Sequence, residues 1–433
     1  MAFPKDFLWG AATSAPQIEG GSTENGRTPS IWDKAPAKKI ARRENCLDAC
    51  DHFHRWKEDI ALMKEIGLKS YRFSVSWSRV MPEEGKISRD GLSFYRSLVE
   101  SLRGNGIEPI LTLFHWDLPV WMQKKGGWLS GEIPGLFASY TRAVTEALSD
   151  LVTYWIPMNE PQCFIFHGHF TGRHAPFRRD FFCLSRLTEN CLRAFHESVL
   201  TIRKYAKKEP KIGTAMAASA FLPKNETSRE IEKARRDSFF SLTGTVGNRW
   251  FSDPLLLGKK VSLFGLFGLK QETLDFVRTK LDFIGLNIYT PYHRLLFPKR
   301  SPKGKINSLG WPIDGRCLYW TLRFFYGRYR LPILVTENGT CGDESDAEDE
   351  KRIAFLREYL SSAHRAAGEG LPLLGYQYWS LLDNFEWDRG YAPRFGLIRV
   401  DYPTQKRTLK QSALFYRDVI RTNGENLAET EKE

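Results

Sequence analysis

Two stretches, Tyr154-Trp155-Ile156-Pro157-Met158-Asn159-Glu160-Pro161 and Leu331-Pro332-Ile333-Leu334-Val335-Thr336-Glu337-Asn338-Gly339, each run from apolar residues into a glutamate. Each reads as a strand buried on both faces, because the apolar run is continuous rather than alternating. A carboxylate placed where a buried strand emerges costs desolvation energy unless it is paired or used. Two of them at equivalent strand ends, far apart in sequence, predict two acids facing one substrate.

Working outward, strand-sized apolar runs recur at 7–15, 70–77, 108–116, 153–160, 211–219, 282–289, 332–338 and 373–381. Helical stripes lie between them. Trp56, Ile60, Met63 and Ile66 share one face ahead of Gly67, and Leu92, Tyr95, Leu98, Val99 and Leu102 do so ahead of Gly104. Ile353, Leu356 and Leu360 form a third stripe. No Pro/Ser-rich linker or composition shift divides the chain. Eight strands alternating with helices predict an α/β fold, a single (β/α)8 barrel domain over residues 1–433 with an ordered core of about 3–423. A doubly wound open sheet is the alternative, but no Gly-x-Gly-x-x-Gly turn follows an early strand.

A barrel of this kind carries its functional residues at the C-terminal ends of its strands. Polar and aromatic residues do fall there: Gln17 and Glu19, then Arg72 and Trp77, His115-Trp116-Asp117, Asn159-Glu160, Asn287-Ile288-Tyr289, Glu337-Asn338, and Trp379 leading to Asp383-Asn384-Phe385-Glu386-Trp387. Amides, an imidazole, carboxylates and indoles together suit a sugar. Its hydroxyls need paired donors and acceptors, and its C–H faces stack on aromatic rings. Cleavage of a glycosidic bond needs the two acids as well: one protonates the leaving oxygen, and the other attacks the sugar or activates water.

Composition excludes other classes. The formal charge is +12, with basic runs at Arg203-Lys204-Tyr205-Ala206-Lys207-Lys208 and Lys299-Arg300-Ser301-Pro302-Lys303-Gly304-Lys305. No helix-turn-helix, zinc-finger or RNA-recognition signature accompanies them, so they read as solvated surface and no nucleic-acid partner is expected. No apolar run reaches transmembrane length. The N-terminal Met1-Ala2-Phe3-Pro4-Lys5-Asp6-Phe7-Leu8-Trp9-Gly10 lacks the basic-then-apolar pattern of a signal peptide, so a cytoplasmic location away from membranes is expected. Seven cysteines, irregularly spaced and without Cys-x-x-Cys, read as reduced thiols. Cys46, Cys50, His52 and His54 have a spacing like a metal cluster, but the two cysteines need not face either histidine. The acidic Asp343-Glu344-Ser345-Asp346 lacks EF-hand spacing and reads as a turn or helix start. No metal and no cofactor is expected.

The motifs taken together resemble family 1 of the glycoside hydrolases, the β-glucosidase type. The resemblance runs from Phe3 to about Asn423. It rests on Phe7-Leu8-Trp9-Gly10-Ala11-Ala12-Thr13, Tyr71-Arg72-Phe73-Ser74-Val75-Ser76-Trp77-Ser78-Arg79 and His115-Trp116-Asp117-Leu118-Pro119. Asn159-Glu160-Pro161, Thr336-Glu337-Asn338-Gly339 and Trp379 through Trp387 complete it. The resemblance implies a retaining β-glycosidase, most often a β-glucosidase, acting from the nonreducing end through a covalent glycosyl-enzyme intermediate. It implies Glu337 as nucleophile and Glu160 as acid/base, with carboxyls about 5–5.5 Å apart for retention. Arg72 and Asn287 are implied as supports. Asn159 is implied as a donor to the sugar 2-hydroxyl and Tyr289 as a donor to the nucleophile. Gln17, His115, Glu386 and Trp387 are implied on the remaining hydroxyls, and Trp379 as the stacking floor.

Relatives that cleave 6-phosphorylated sugars replace the acid at the position of Glu386 with a small residue, so the resemblance implies an unphosphorylated substrate, although Arg389 and Arg394 lie close in sequence. The chain departs from the family at Pro16, Gln162, Ala217 and Ala218, where Tyr, Trp and Asn are usual. By resemblance these positions border the leaving group. Gln162 and Trp311 are therefore the expected aglycone contacts, in a remodelled site. A transglycosylase using the same intermediate, a 6-phospho-β-glucosidase and a catalytically dead sugar binder are the alternatives. The last usually lacks one of the two glutamates.

Overall fold

The computed structural model describes residues 2–241, 247–261, 271–292, 305–343 and 345–427. Eight parallel stretches form the wall of a barrel. They are β1 (Leu8–Ala12), β2 (Ser70–Ser74), β3 (Glu108–Phe114), β4 (Tyr154–Met158), β5 in two pieces (Lys211–Ile212 and Met216–Ala218), β6 (Ile284–Ile288), β7 (Ile333–Asn338) and β8 (Leu373–Trp379). Sequence neighbours are spatial neighbours throughout. β1 pairs with β2 on one side and β8 on the other, Ala11 lying opposite Tyr71 and Tyr378.

The 211–219 run departs from a single regular strand. Its first piece pairs with β4 and its second with β6, and the bridges Asn159–Ala215 and Gly213–Phe283 carry the wall across the interruption. At the interruption the packing is close enough to require glycine: a Cβ on Gly213 would lie 2.2 Å from the Phe283 ring. Apart from β7, which ends at Asn338 as expected, the other strands end sooner than the apolar runs. Residues 7–15 give a strand only to Ala12, since Ala15–Ile18 turns into a short helix. Trp77 likewise sits in a helical turn (Trp77–Val80) and is core, stacked on Tyr140 at 5.2 Å.

Apolar side chains from around the barrel meet inside it: Ile110, Ile156, Ala215, Phe283 and Leu334, with Leu8 and Leu374 against them. The larger core lies between the strands and the outer helices. The helices His52–Ile66, Arg89–Gly104 and Asp346–Gly368 fall where the three stripes predict. Gly67, at φ 79, terminates the first as a left-handed cap. An antiparallel hairpin, β9 (Ile398–Asp401) with β10 (Lys406–Leu409), follows β8. The bridge Leu382–Ile398 ties it to the segment leading to Glu386 and Trp387.

The cysteines and histidines singled out for their spacing have other partners. Cys50 Sγ contacts the Asp383 carbonyl at 3.0 Å, His52 Nδ1 meets Asp59 at 2.6 Å, and His54 lies between Asp51 and Glu24. All seven cysteines are free and buried. Asp343 accepts the Ser345 backbone N–H at 2.8 Å, a turn as expected, while Glu344 lies outside the described residues. So do Lys299 through Gly304 of the second basic run. Among the described residues no helix is long and apolar enough to cross a membrane.

Candidate active site

The C-terminal ends of the strands open into a cavity of about 430 Å³. Its wall includes His115, Asn159, Glu160, Asn287, Tyr289, Trp311, Glu337, Trp379, Glu386 and Trp387. The two glutamates come from β4 and β7, as the opening stretches predict. Glu160 is the second residue past β4 and has a left-handed conformation (φ 41), and its backbone N–H donates to the Ala215 carbonyl at 2.8 Å. That turn aims the carboxyl into the cavity instead of along the wall.

Arg72 is the buried hub beneath the site. Nη1 donates to Glu337 Oε1 at 2.7 Å and to the Thr336 carbonyl at 3.0 Å. Nη2 donates to Asn159 Oδ1 at 2.7 Å, and Nε to Thr112 Oγ1 at 3.1 Å. Tyr289 donates its hydroxyl to Glu337 Oε2 at 2.7 Å. Both oxygens of Glu337 therefore accept strong donors. Glu160 has a weaker set: Asn287 Nδ2 donates to its Oε1 at 2.9 Å, and the Cys163 thiol touches it. Asn287 also contacts Glu337 and donates to Asn159 Oδ1 at 3.0 Å. One amide thus ties both carboxyls together, held in turn by Thr336 Oγ1, which donates to Asn287 Oδ1 at 2.6 Å.

The electrostatics separate the pair. Burial and then the charge of Glu337 push Glu160 up to about 7. Burial raises Glu337 too, but Arg72 and Tyr289 pull against it. A single proton on the pair therefore resides on Glu160, with Glu337 ionised. Burial and the charge of Glu337 push Glu386 up to about 8, so at neutral pH it both donates and accepts. Burial and the neighbouring Arg72 hold His115 well below the usual imidazole range. Its Nε2 faces Asn159 Nδ2 at 3.0 Å, which places the ring proton on Nδ1. That buried Nδ1 has no partner among the described residues, nor does Glu386 Oε2. Both residues line the cavity with hydrogen-bonding capacity unspent within the protein. His115 lies between Trp379 (5.7 Å) and Trp387 (6.0 Å), nearly parallel to both rings.

Two expected site residues stand behind the wall. Gln17 is fully buried, with Nε2 donating to Asn384 Oδ1 at 3.0 Å and to the Phe385 carbonyl at 2.8 Å. It braces the segment that carries Glu386. Gln162 is 3% exposed, and its Nε2 donates to the Ala217 carbonyl at 3.0 Å, beneath the wall that Ala217 and Ala218 form. Glu19 is structural, with Arg79 at 3.1 Å and Tyr95 at 2.5 Å. Trp311 is on the wall, edge-on to Tyr289 at 5.7 Å.

The wall also holds Trp116, Cys163, Arg173, His174, Asp388 and Phe395, which the sequence does not single out as contacts. Trp116 and Asp388 lie next to His115 and Trp387, so adjacency to the motifs is a usable signal for them. Arg173 carries none, since it reaches Asp388 across 215 residues of sequence (2.8 Å). Burial pushes Asp388 up, yet His174 and Arg173 outweigh it and hold the carboxyl at about 2.

A carboxyl pair with one proton, set in a cavity lined by aromatic and polar side chains at the mouth of a (β/α)8 barrel, is the apparatus of a glycoside hydrolase. The chain belongs to glycosyl hydrolase family 1, whose family model matches residues 1–425. It is 39% identical to "Beta-glucosidase A" of Acetivibrio thermocellus, over 98% of this chain and 99% of the relative. It is 34% identical to "Aryl-phospho-beta-D-glucosidase BglC" of Bacillus subtilis, over 98% of each. Among solved structures it resembles a β-glucosidase from Thermotoga maritima in complex with glucoimidazole, at 36% identity and a TM-score of 0.88, covering 98% of this chain and 99% of that one.

Proposed function

We propose that the chain is a retaining β-glucosidase acting on unphosphorylated β-glycosides from the nonreducing end, with residues 1–433 forming one catalytic barrel. The asymmetry of the carboxyl pair carries the reading: two strong donors on Glu337, a neutral amide on Glu160. Ionised Glu337 attacks the anomeric carbon as the bond to the aglycone oxygen breaks, and Glu160 gives that oxygen its proton. The ester at Glu337 is uncharged, so the charge that raised Glu160 is gone. Glu160 then takes a proton from water, whose oxygen attacks the anomeric carbon and frees Glu337. Asn159, His115, Glu386 and Trp387 bind the sugar hydroxyls, and Trp379 stacks on the ring. Gln17 acts through the Glu386 segment.

Ionised Glu337 lies at the floor of this cavity beside Glu386, whose carboxyl occupies the place a small residue would need to take to admit a phosphate, and both disfavour a phosphate dianion on the bound sugar. The test is 4-nitrophenyl β-glucoside against its 6-phosphate, with NMR of the first-formed sugar. The expected result is turnover of the former, releasing the β-anomer. An α-anomer, or preference for the phosphate, overturns the reading. Seven unpaired thiols support a cytoplasmic location.

The rate should depend on pH in a direction fixed by the pair. Glu160 must be protonated for the first step, so kcat/KM is expected to fall as pH rises through about 7. On the acid side it falls as Glu337 gains a proton. A profile that keeps rising past pH 8 contradicts the assignment.

Trp311 contacts the aglycone in this reading, and Gln162 positions the Ala217–Ala218 wall from below. Trp311→Ala is expected to raise KM for aryl glucosides about fivefold and to change methyl glucoside less. Equal changes for both substrates would remove Trp311 from the aglycone site.

A further inference from the structure

Three loops meet over Trp387 at the rim of the cavity. They are residues 36–44, 172–180 and 386–391, and together they carry eight lysines and arginines and four acids, so that +4 of the chain's +12 lies in these short segments. They touch one another directly. Lys39 Nζ sits 5.7 Å from the Phe177 ring, Glu44 accepts the Tyr391 backbone N–H at 2.7 Å, and Arg173 pairs with Asp388 at 2.8 Å. Trp32 packs against Trp387 at 4.7 Å and against Phe177 at 5.9 Å, which ties the second and third of these loops together.

Three of the four acids of this rim are occupied and the fourth, Glu386, is pushed up to about 8, while its cations keep donors to spare. Glu44 is bound to the backbone, Asp388 is held ionised by His174 and Arg173, and Asp180 accepts the Phe182 backbone N–H at 3.1 Å. Arg173 uses Nε on Asp388, and its side chain is 45% exposed. Arg389, 52% exposed, approaches Asp388 no closer than 3.8 Å, beyond hydrogen-bond reach. Both arginines line the cavity.

We propose that this rim selects glycosides whose aglycone bears an anionic group, a carboxylate or its equivalent, with Arg389 and Arg173 as its contacts. The proposal rests on the glycosidase reading above, in which the sugar lies at the floor against Glu337. The aglycone of a sugar bound there leads outward past the rim. Negative charge is therefore disfavoured beside ionised Glu337 at the floor and favoured beside Arg173 and Arg389 at the mouth. The remaining cations raise the local concentration of such substrates from a distance.

The test uses a pair of non-cleaved analogues, 4-carboxyphenyl and 4-carbamoylphenyl 1-thio-β-glucoside, as inhibitors of 4-nitrophenyl β-glucoside turnover. In about 20 mM salt the carboxylate is expected to bind about fivefold more tightly, and in about 500 mM salt the gap is expected to shrink below about twofold. Arg389→Gln should reduce the low-salt gap to under about twofold, and an Arg178→Gln/Arg179→Gln variant should reduce it partly. Equal affinities in the unmodified protein at low salt would overturn the proposal, as would a gap that ignores both salt and Arg389. Absence of turnover of the nitrophenyl substrate would instead count against the glycosidase reading. The same pair compared by calorimetry would then still decide the anion preference.

Discussion

Glu337→Gln is expected to lower kcat on 4-nitrophenyl β-glucoside by on the order of 10⁴-fold. The amide has nearly the shape of the carboxyl but lacks the charge that attacks the anomeric carbon. Binding should survive, because Arg72 keeps its bonds to the Thr336 carbonyl, Asn159 and Thr112. A second effect follows from the electrostatics. The charge of Glu337 helps raise Glu160, so in this variant Glu160 should titrate below its value of about 7. A 2-fluoro glucosyl inactivator should label Glu337 in the unmodified protein. Full activity of the variant, or labelling of another residue, would end the assignment of Glu337 as nucleophile.

Glu160→Ala is expected to divide substrates by their leaving groups. Poor leaving groups need the proton and should slow by about 10²–10⁴-fold. A dinitrophenyl leaving group should depart almost normally in the first step, after which the ester accumulates because no base activates water. Azide needs no base and should restore turnover, giving a β-glycosyl azide. Equal losses for every leaving group, with no rescue, would remove Glu160 from the acid/base role. The Asn287 amide that donates to Glu160 keeps its bond to Asn159 Oδ1 in this variant.

The fold was legible because its strands are buried on both faces and its helices are striped. Runs such as Ile333-Leu334-Val335 announce a parallel strand without reference to anything distant. The positions of Glu160 and Glu337 were legible for the same reason, since a charge at the end of such a run has to be used. The break in the fifth strand was not, because its two pieces pair with different neighbouring strands and no local pattern carries that division. Side-chain direction at the cavity was equally hidden. Gln17 and Gln162 sit next to site residues in sequence, yet each spends its amide on a neighbouring carbonyl behind the wall. The pairing of Arg173 with Asp388 joins loops after different strands, and no local pattern carries such a contact.

The placement of Arg72 bears on how the chain assembles as it is made. The guanidinium belongs to the second strand, but its carboxylate partner lies 265 residues further on. During synthesis the early strands emerge with a buried-to-be cation whose counter-charge has not yet been translated. Sealing that cation in a dry interior without its partner is costly, so the early strands gain by staying open to water. Tight closure of the early wall is rewarded only once β7 arrives. The last steps of folding and the appearance of a competent site then become a single event, and a ribosome-bound chain truncated before Glu337 should remain loosely packed around Arg72.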